Sequence, residues 1–242
     1  MFSVFKKKNL IIISVLLLTA FTFILCFGAL SVGKTSVSDA NKIKIVLDAG
    51  HGGIDGGVLG VNTNVKESDI NLKVVKKIEQ LIIGAGMQPI LTRTSEAGLY
   101  GVATKNRKRR DMEKRRDIIN SSNAVAVISV HMNKYALSTR RGAQVFYKSK
   151  DDNAKLLANC IQQSFNNMKE ASRECQILSG DYYVLNCSNI PSIIAECGFL
   201  SNPQDEALLI TEEYQNEIAY AIFKGLISYL TEASFNYFEN LP

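Results

Sequence analysis

Ala124-Val125-Ala126-Val127-Ile128-Ser129-Val130 is apolar at every position but Ser129, and His131-Met132-Asn133 follows at once. The run is too short for an independent helix, and its valine and isoleucine content suits extended backbone. An unbroken apolar strand, as opposed to an alternating one, is buried on both faces. Strands of that kind belong to parallel sheets with helices above and below.

The neighbouring segments agree with that reading. Ile43 to Asp48 is β-branched and forms a first strand. Glu67 opens a helix in which Ile70, Val74, Ile78 and Leu81 recur at helical spacing, and Gly84 and Gly86 end it. Met87 to Thr92 is a strand. A loop with Gly98 and Gly101 leads to a charged helical stretch from Lys105 to Asn120. Ala143 to Tyr147 is a further strand, antiparallel because the connection before it is short. Asp151 to Met168 is helical, Tyr182 to Leu185 and Ser192 to Ala195 read as strands, and Glu206 to Leu230 supplies one or two closing helices. The fold class is α/β: a single domain with a mainly parallel twisted sheet of about six strands and helices on both faces. It spans residues 43–232, with a tail at 233–242.

The N-terminus is a separate object. Lys6, Lys7 and Lys8 precede Leu10 to Val32, 23 residues without a charge. A bilayer span needs about 20 apolar residues, whereas a cleaved signal core runs to about 7–15. Residues 1–33 therefore read as an N-terminal hydrophobic helix, a membrane anchor or signal segment that length favours as uncleaved. A small polar linker, 34–42, follows. The leading lysines keep to the cytoplasm, which places the domain outside, at the outer face of the membrane. Leu25 stands before Cys26 where a lipoprotein signal wants a small residue, so lipidation is not expected.

The anchor also distorts the charge balance. The whole chain has 28 cationic and 23 acidic residues. Without the lysines at 6, 7, 8 and 34 the balance is about +1, so the domain has no reason to seek nucleic acid. The densest cluster, Lys105 to Arg110 with Lys114, Arg115 and Arg116, reads first as a solvated helix face partly neutralised by Asp111 and Glu113. Attraction of peptide carboxylates, anionic wall polymers or a partner is the functional alternative. Arg115 or Arg116 could also tie the helix to the sheet, and Arg93 could line a cleft. No aromatic residues interleave the cluster as single-strand binding would require.

The chain has two histidines. His51 follows the first strand in Asp48-Ala49-Gly50-His51-Gly52-Gly53-Ile54-Asp55-Gly56-Gly57, and His131 follows the run quoted above. Parallel sheets place their sites beyond the carboxyl ends of the strands, where His51, His131 and Glu196 all fall. Two imidazoles and one carboxylate make a catalytic zinc set with a position left for water. Glu67, at the start of a helix after the glycine-rich loop, can turn back as the third ligand. Glu196 then serves as the base, because a metal-bound carboxylate has its lone pairs committed. Asp55 is placed to accept a hydrogen bond from the His51 ring. The loop lacks both GxGxxG and the Walker lysine, so a phosphate cradle is disfavoured. No GxSxG supports a serine hydrolase, and the cysteines at 26, 160, 175, 187 and 197 form no CxxC zinc pair. Export would permit disulfides, but free thiols fit equally well.

Four ordered blocks carry a resemblance: Asp48 to Gly53, Glu67 to Leu72, Ser129 to Asn133, and Glu196-Cys197-Gly198-Phe199-Leu200-Ser201-Asn202. Together they resemble the signature blocks of zinc-dependent N-acetylmuramoyl-L-alanine amidases. The resemblance implies Zn2+ as cofactor, held by His51, Glu67 and His131, with Glu196 catalytic. It implies peptidoglycan as substrate, cut between muramic acid and L-alanine. Cys197 departs from the small or hydroxyl residue common there, and strand alternation should turn it away from the metal. A lone domain without wall-binding repeats, and without an insert between Asn133 and Gly142, resembles the sporulation- and germination-specific branch. An exported activator protein is compatible with this pattern. Two rivals share the same residues: a wall-binding or regulatory module without turnover, and a zinc peptidase for another amide. Tyr214, Tyr220 and Tyr229 read as packing residues. The Leu185 to Pro191 loop is a candidate wall of the substrate groove.

Overall fold

The computed structural model describes residues 42–239, apart from 103, 104 and 172. The hydrophobic segment, and its linker up to residue 41, lie outside these residues. Among the described residues, no helix is long and apolar enough to cross a membrane.

Six strands form one sheet: β1 (Lys44–Ala49), β2 (Gln88–Leu91), β3 (Ala126–Asn133), β4 (Gln144–Tyr147), β5 (Leu178–Ser179) and β6 (Ser192–Phe199). Their order is β2-β1-β3-β6-β4-β5. The pairs from β2 through β1 and β3 to β6 are parallel, whereas β4 runs antiparallel to β6 as the short connection predicts. The helices are α1 (Glu67–Gly84), α2 (Arg107–Ser121), α3 (Asp152–Asn166), α4 (Tyr183–Asn186), α5 (Pro203–Leu209) and α6 (Glu212–Glu239).

Strand alternation sorts the side chains onto two unlike faces. Ile45, Leu47 and Ala49 of β1, Ile128 and Val130 of β3, and Ile193 and Ala195 of β6 point to one face, where α1, α3 and α6 cover them. Each fully buried aliphatic side chain there contributes roughly 1.5–3 kcal/mol, so this face dominates stability. The other face bears Val46, Val127 and Ile194 beneath α2 and α4. Further along the same strands, on the same side, come Asp48, Ser129, His131 and Glu196. The apolar layer thus gives way to a polar one at the carboxyl ends of β1, β3 and β6.

Several expectations needed correction. Tyr182 to Leu185 is not a strand: it makes the short helix α4, whose Val184 and Leu185 are buried against the sheet. The sheet's outer strand is instead the two-residue β5. Strands β3 and β6 run past the expected ends, so His131, Glu196 and Cys197 are strand residues. Residues 233–239, read as tail, extend α6. Tyr214 and Tyr229 are buried, but Tyr220 is 60% exposed and is no core residue. Cys160, Cys175, Cys187 and Cys197 are free thiols.

Candidate metal centre

The site begins where β1 ends. Its backbone turns through His51 with φ of 61°, a left-handed conformation that costs a side-chain-bearing residue about 1 kcal/mol or more. Two buried guanidinium groups hold the turn. Arg93 donates to the carbonyls of Ala49 at 2.8 Å and Gly50 at 3.0 Å. Arg115 donates to Ala49 O at 2.9 Å and His51 O at 2.7 Å. Arg93 also reaches Ser68 O at 2.7 Å and Ser95 O at 2.9 Å. It is a buried brace, and not the cleft residue that the sequence suggested.

Arg115 is the anchor of α2, and Arg116 lies outward on Asp117. Arg115 pairs with Asp48 and with Asp111 at 2.7 Å. Asp48 accepts further from Thr92 Oγ1 at 2.6 Å and Ser129 Oγ at 2.5 Å. Burial works to raise the Asp48 carboxyl, but Arg115 and the two hydroxyls bring it down to about 2. Sequence reasoning missed this network. Its signal was Asp48 itself, a carboxylate at the end of an apolar strand, the same cue that singled out Glu196.

Glycine lets the parts close up. A Cβ on Gly50 would stand 2.1 Å from the His131 ring, and one on Gly57 would stand 2.4 Å from Glu67 Oε2. Without those hydrogens in place of side chains, His131 and Glu67 could not approach the loop.

His51, Glu67 and His131 converge, one donor atom from each lying within 4.8 Å of the others. Glu67 Oε1 faces His131 Nδ1 at 2.9 Å and His51 Nε2 at 3.3 Å. The same oxygen is approached by Met132 N at 3.1 Å and Asn71 Nδ2 at 3.3 Å, while Oε2 accepts from Val58 N at 2.8 Å. Four nitrogen atoms crowd one oxygen that has two lone pairs. Two of the four are imidazole nitrogens, which can turn lone pairs inward once deprotonated. This donor set fits a divalent cation that prefers nitrogen and oxygen ligands.

The charges answer to that geometry. Burial opposes ionisation of His51, but Glu67 and then Asp55 raise its imidazole to about 9. Burial would raise Glu67; His131 and His51 hold it far below the ordinary carboxylate range. His51 Nδ1 lies 2.9 Å from Asp55 Oδ1 but is not aligned for a hydrogen bond. Asp55 still favours the protonated ring from that distance.

Glu196 stands directly opposite His131 in the β3–β6 register. Its Oε2 is buried without a hydrogen-bond partner. Burial lifts its carboxyl to about 7; His131 opposes that rise and Glu67 adds to it. A carboxyl poised near neutrality beside a metal-type cluster is equipped to take and return a proton. Cys197, the next residue, points into the opposite face and bonds Ala195 O, as alternation predicts.

These residues open into a cleft of about 800 Å³ lined by His51, Asp55, Glu67, His131 and Glu196, with Tyr100, Tyr182 and Tyr183. The expected wall at Leu185 to Pro191 is absent from the lining; the turn just before it, Tyr182 to Val184, takes that place.

A family model described as N-acetylmuramoyl-L-alanine amidase matches residues 45–228, a span that holds His51, Glu67, His131 and Glu196. The chain belongs to the N-acetylmuramoyl-L-alanine amidase family. The germination-specific N-acetylmuramoyl-L-alanine amidase of Bacillus subtilis is 35% identical over 192 residues, covering 78% of this chain and 80% of that protein. Among solved structures, the CwlD amidase from Clostridioides difficile, in complex with the GerS lipoprotein, matches with 38% identity and a TM-score of 0.76. That match covers 78% of this chain and 99% of the other. An N-acetylmuramoyl-L-alanine amidase from Clostridium difficile 630 matches with 30% identity and a TM-score of 0.71, over 79% of this chain and 98% of the other. In this amidase, then, the four residues singled out from sequence lie together at one end of one sheet.

Proposed function

We propose that this amidase holds one zinc ion between His51, Glu67 and His131, with Glu196 as its catalytic acid–base. Its reaction on this reading is hydrolysis of the amide that joins N-acetylmuramic acid to L-alanine in peptidoglycan. The observation that carries the proposal is the unpartnered Glu196 carboxyl facing His131 beside the three converging donors.

A zinc held by His51, Glu67 and His131 would supply a Lewis acid that polarises the amide carbonyl and makes water a better nucleophile. The chain's own residues do the rest. Arg93 and Arg115 fix the His51 turn in advance. Asn71 and Met132 N orient the Glu67 carboxylate. Glu196 takes a proton from the attacking water and returns it to the leaving alanine nitrogen. The aromatic rim at Tyr100, Tyr182 and Tyr183 offers apolar surface and hydroxyls to the glycan-peptide.

The cellular setting is part of the same proposal. Similarity to the germination-specific amidase supports a role in spore-cortex maturation, where removing stems frees muramic acid for lactam formation. The uncharged run from Leu10 to Val32 supports export and tethering at the outer face of the membrane. The complex of CwlD with a lipoprotein supports an exported activator as partner.

The test is zinc stoichiometry of the purified protein together with mass spectrometry of muropeptides before and after incubation. About one zinc per chain and stems with free L-alanine termini support the reading. Zinc without cleavage, even after adding extracellular extract from the native cell, identifies a wall-binding module instead. Cleavage at a different amide identifies a peptidase.

A further inference from the structure

Positive charge around this cleft is unevenly engaged. Arg115, on its floor, is held by Asp48 and Asp111. Arg109 pairs with Glu113 at 2.8 Å and Arg116 with Asp117 at 2.8 Å, and neither lines the cleft. Lys108, from the first turn of α2, and Lys134, just past β3, do line it. No described residue forms an ion pair or hydrogen bond with either ammonium group. Asp55 and Asp111, which line the same cleft, are already engaged. Asp55 Oδ1 accepts from Gly57 N at 3.1 Å and faces His51. Asp111 receives Leu99 N at 2.6 Å as well as Arg115.

Two exposed ammonium groups that line the cleft without an ion pair among the described residues point to an anion on the ligand. The substrate side of the argument rests on the amidase reading above. Past the L-alanine whose amide is cut, a peptidoglycan stem continues with a γ-linked glutamate. The α-carboxyl of that residue is either free or amidated. These two forms have nearly the same shape but differ by one charge and by the donors of the amide, so a cluster of cationic donors favours the carboxylate.

We propose that Lys108 and Lys134 form a subsite that reads a free carboxylate on the peptide stem and selects it over its amide. Both heads are free to donate charge-assisted hydrogen bonds to a carboxylate lodged in the cleft. The charged cluster of α2 thereby divides by direction. Arg115 braces the floor, Lys108 faces the substrate, and Arg109 and Arg116 belong to the solvated surface.

The experiment compares kcat/KM of the zinc-loaded full chain on two matched muropeptides, one with the free α-carboxyl and one with the amide. Wild type should prefer the carboxylate by about tenfold, as charge-assisted hydrogen bonds from two ammonium groups allow. Lys108→Gln and Lys134→Gln should each lower that ratio, mainly through KM, and the double variant should bring it close to one. Arg109→Gln, on the same helix but outside the cleft, should keep the wild-type ratio. A wild-type ratio near one, or a ratio that survives the double variant, overturns the subsite while leaving the amidase reading intact. Failure to cut either muropeptide overturns the amidase reading, and the subsite with it.

Discussion

Glu196 and His131 face each other across the β3–β6 pairing, and the glutamate's Oε2 is buried with no hydrogen-bond partner. Leaving a buried polar atom unpaired costs about 1–3 kcal/mol, so the position is justified by chemistry and not by packing. Glu196→Gln should keep about one zinc per chain, and kcat should fall by about 100- to 10,000-fold, the usual worth of a positioned acid–base. Steady-state kinetics with metal analysis of the same preparation checks both halves. Unchanged kcat removes Glu196 from the reaction.

Gly50 sets the distance between the first loop and His131. A methyl group there meets the ring at 2.1 Å, well inside contact distance, so Gly50→Ala must displace the imidazole or the loop. Overpacking of this kind costs roughly 1–3 kcal/mol. The variant should fold with a lowered melting temperature and bind zinc more weakly, by about tenfold or more in chelator competition. Wild-type zinc affinity in this variant would show that the close approach is unimportant.

Without metal, His51 titrates near 9 beside Glu67 and Asp55, so it is protonated at neutral pH. A metal ligand must be the neutral ring. Zinc binding at pH 7.5 should therefore release a proton from His51, and affinity should climb with pH until about 9. Calorimetry in buffers of different ionisation enthalpy counts that proton. Zinc binding without proton release contradicts the His51 assignment.

The Asp48–Arg115 pair carries a pH signature of its own. The Asp48 carboxyl is held at about 2 in the fold, against 3.8 ordinarily. A carboxyl depressed by folding stabilises the protein above its unfolded pKa. That stability, about 2 kcal/mol, disappears as pH falls from about 4 through 2. Arg115→Met should be less stable by roughly 3–5 kcal/mol at pH 7, because Asp48 is left buried and charged. The gap to wild type should narrow in acid. Urea titrations at pH 7 and pH 3 measure it, and an equal gap at both would refute the pairing.

Much of the fold and of the site is legible in the sequence. Ala124 to Val130 revealed a doubly covered strand because an apolar run has few other uses in a charged chain. His51, His131, Glu67 and Glu196 stood out because each polar residue adjoins a strand end or a glycine-rich turn. The short helix α4 was not legible: four residues, Tyr182 to Leu185, are apolar enough for either a strand or one helical turn. Only burial of Val184 and Leu185 against Val46 and Ile194 decides it. The double role of α2 was also hidden. Arg115 looks the same in sequence as Arg109 and Arg116, and only the facing Asp48 distinguishes it. Arg93 misled for a related reason, since its partners are backbone carbonyls, which sequence patterns do not reveal.

The most direct test of the account is anomalous diffraction at the zinc edge from crystals of the zinc-loaded protein. One peak is predicted, at coordination distance of about 2.1 Å from His51 Nε2, His131 Nδ1 and a Glu67 oxygen, with the Glu196 carboxyl beside it and unbound. A peak that omits either histidine, or one bound directly by Glu196, would contradict it.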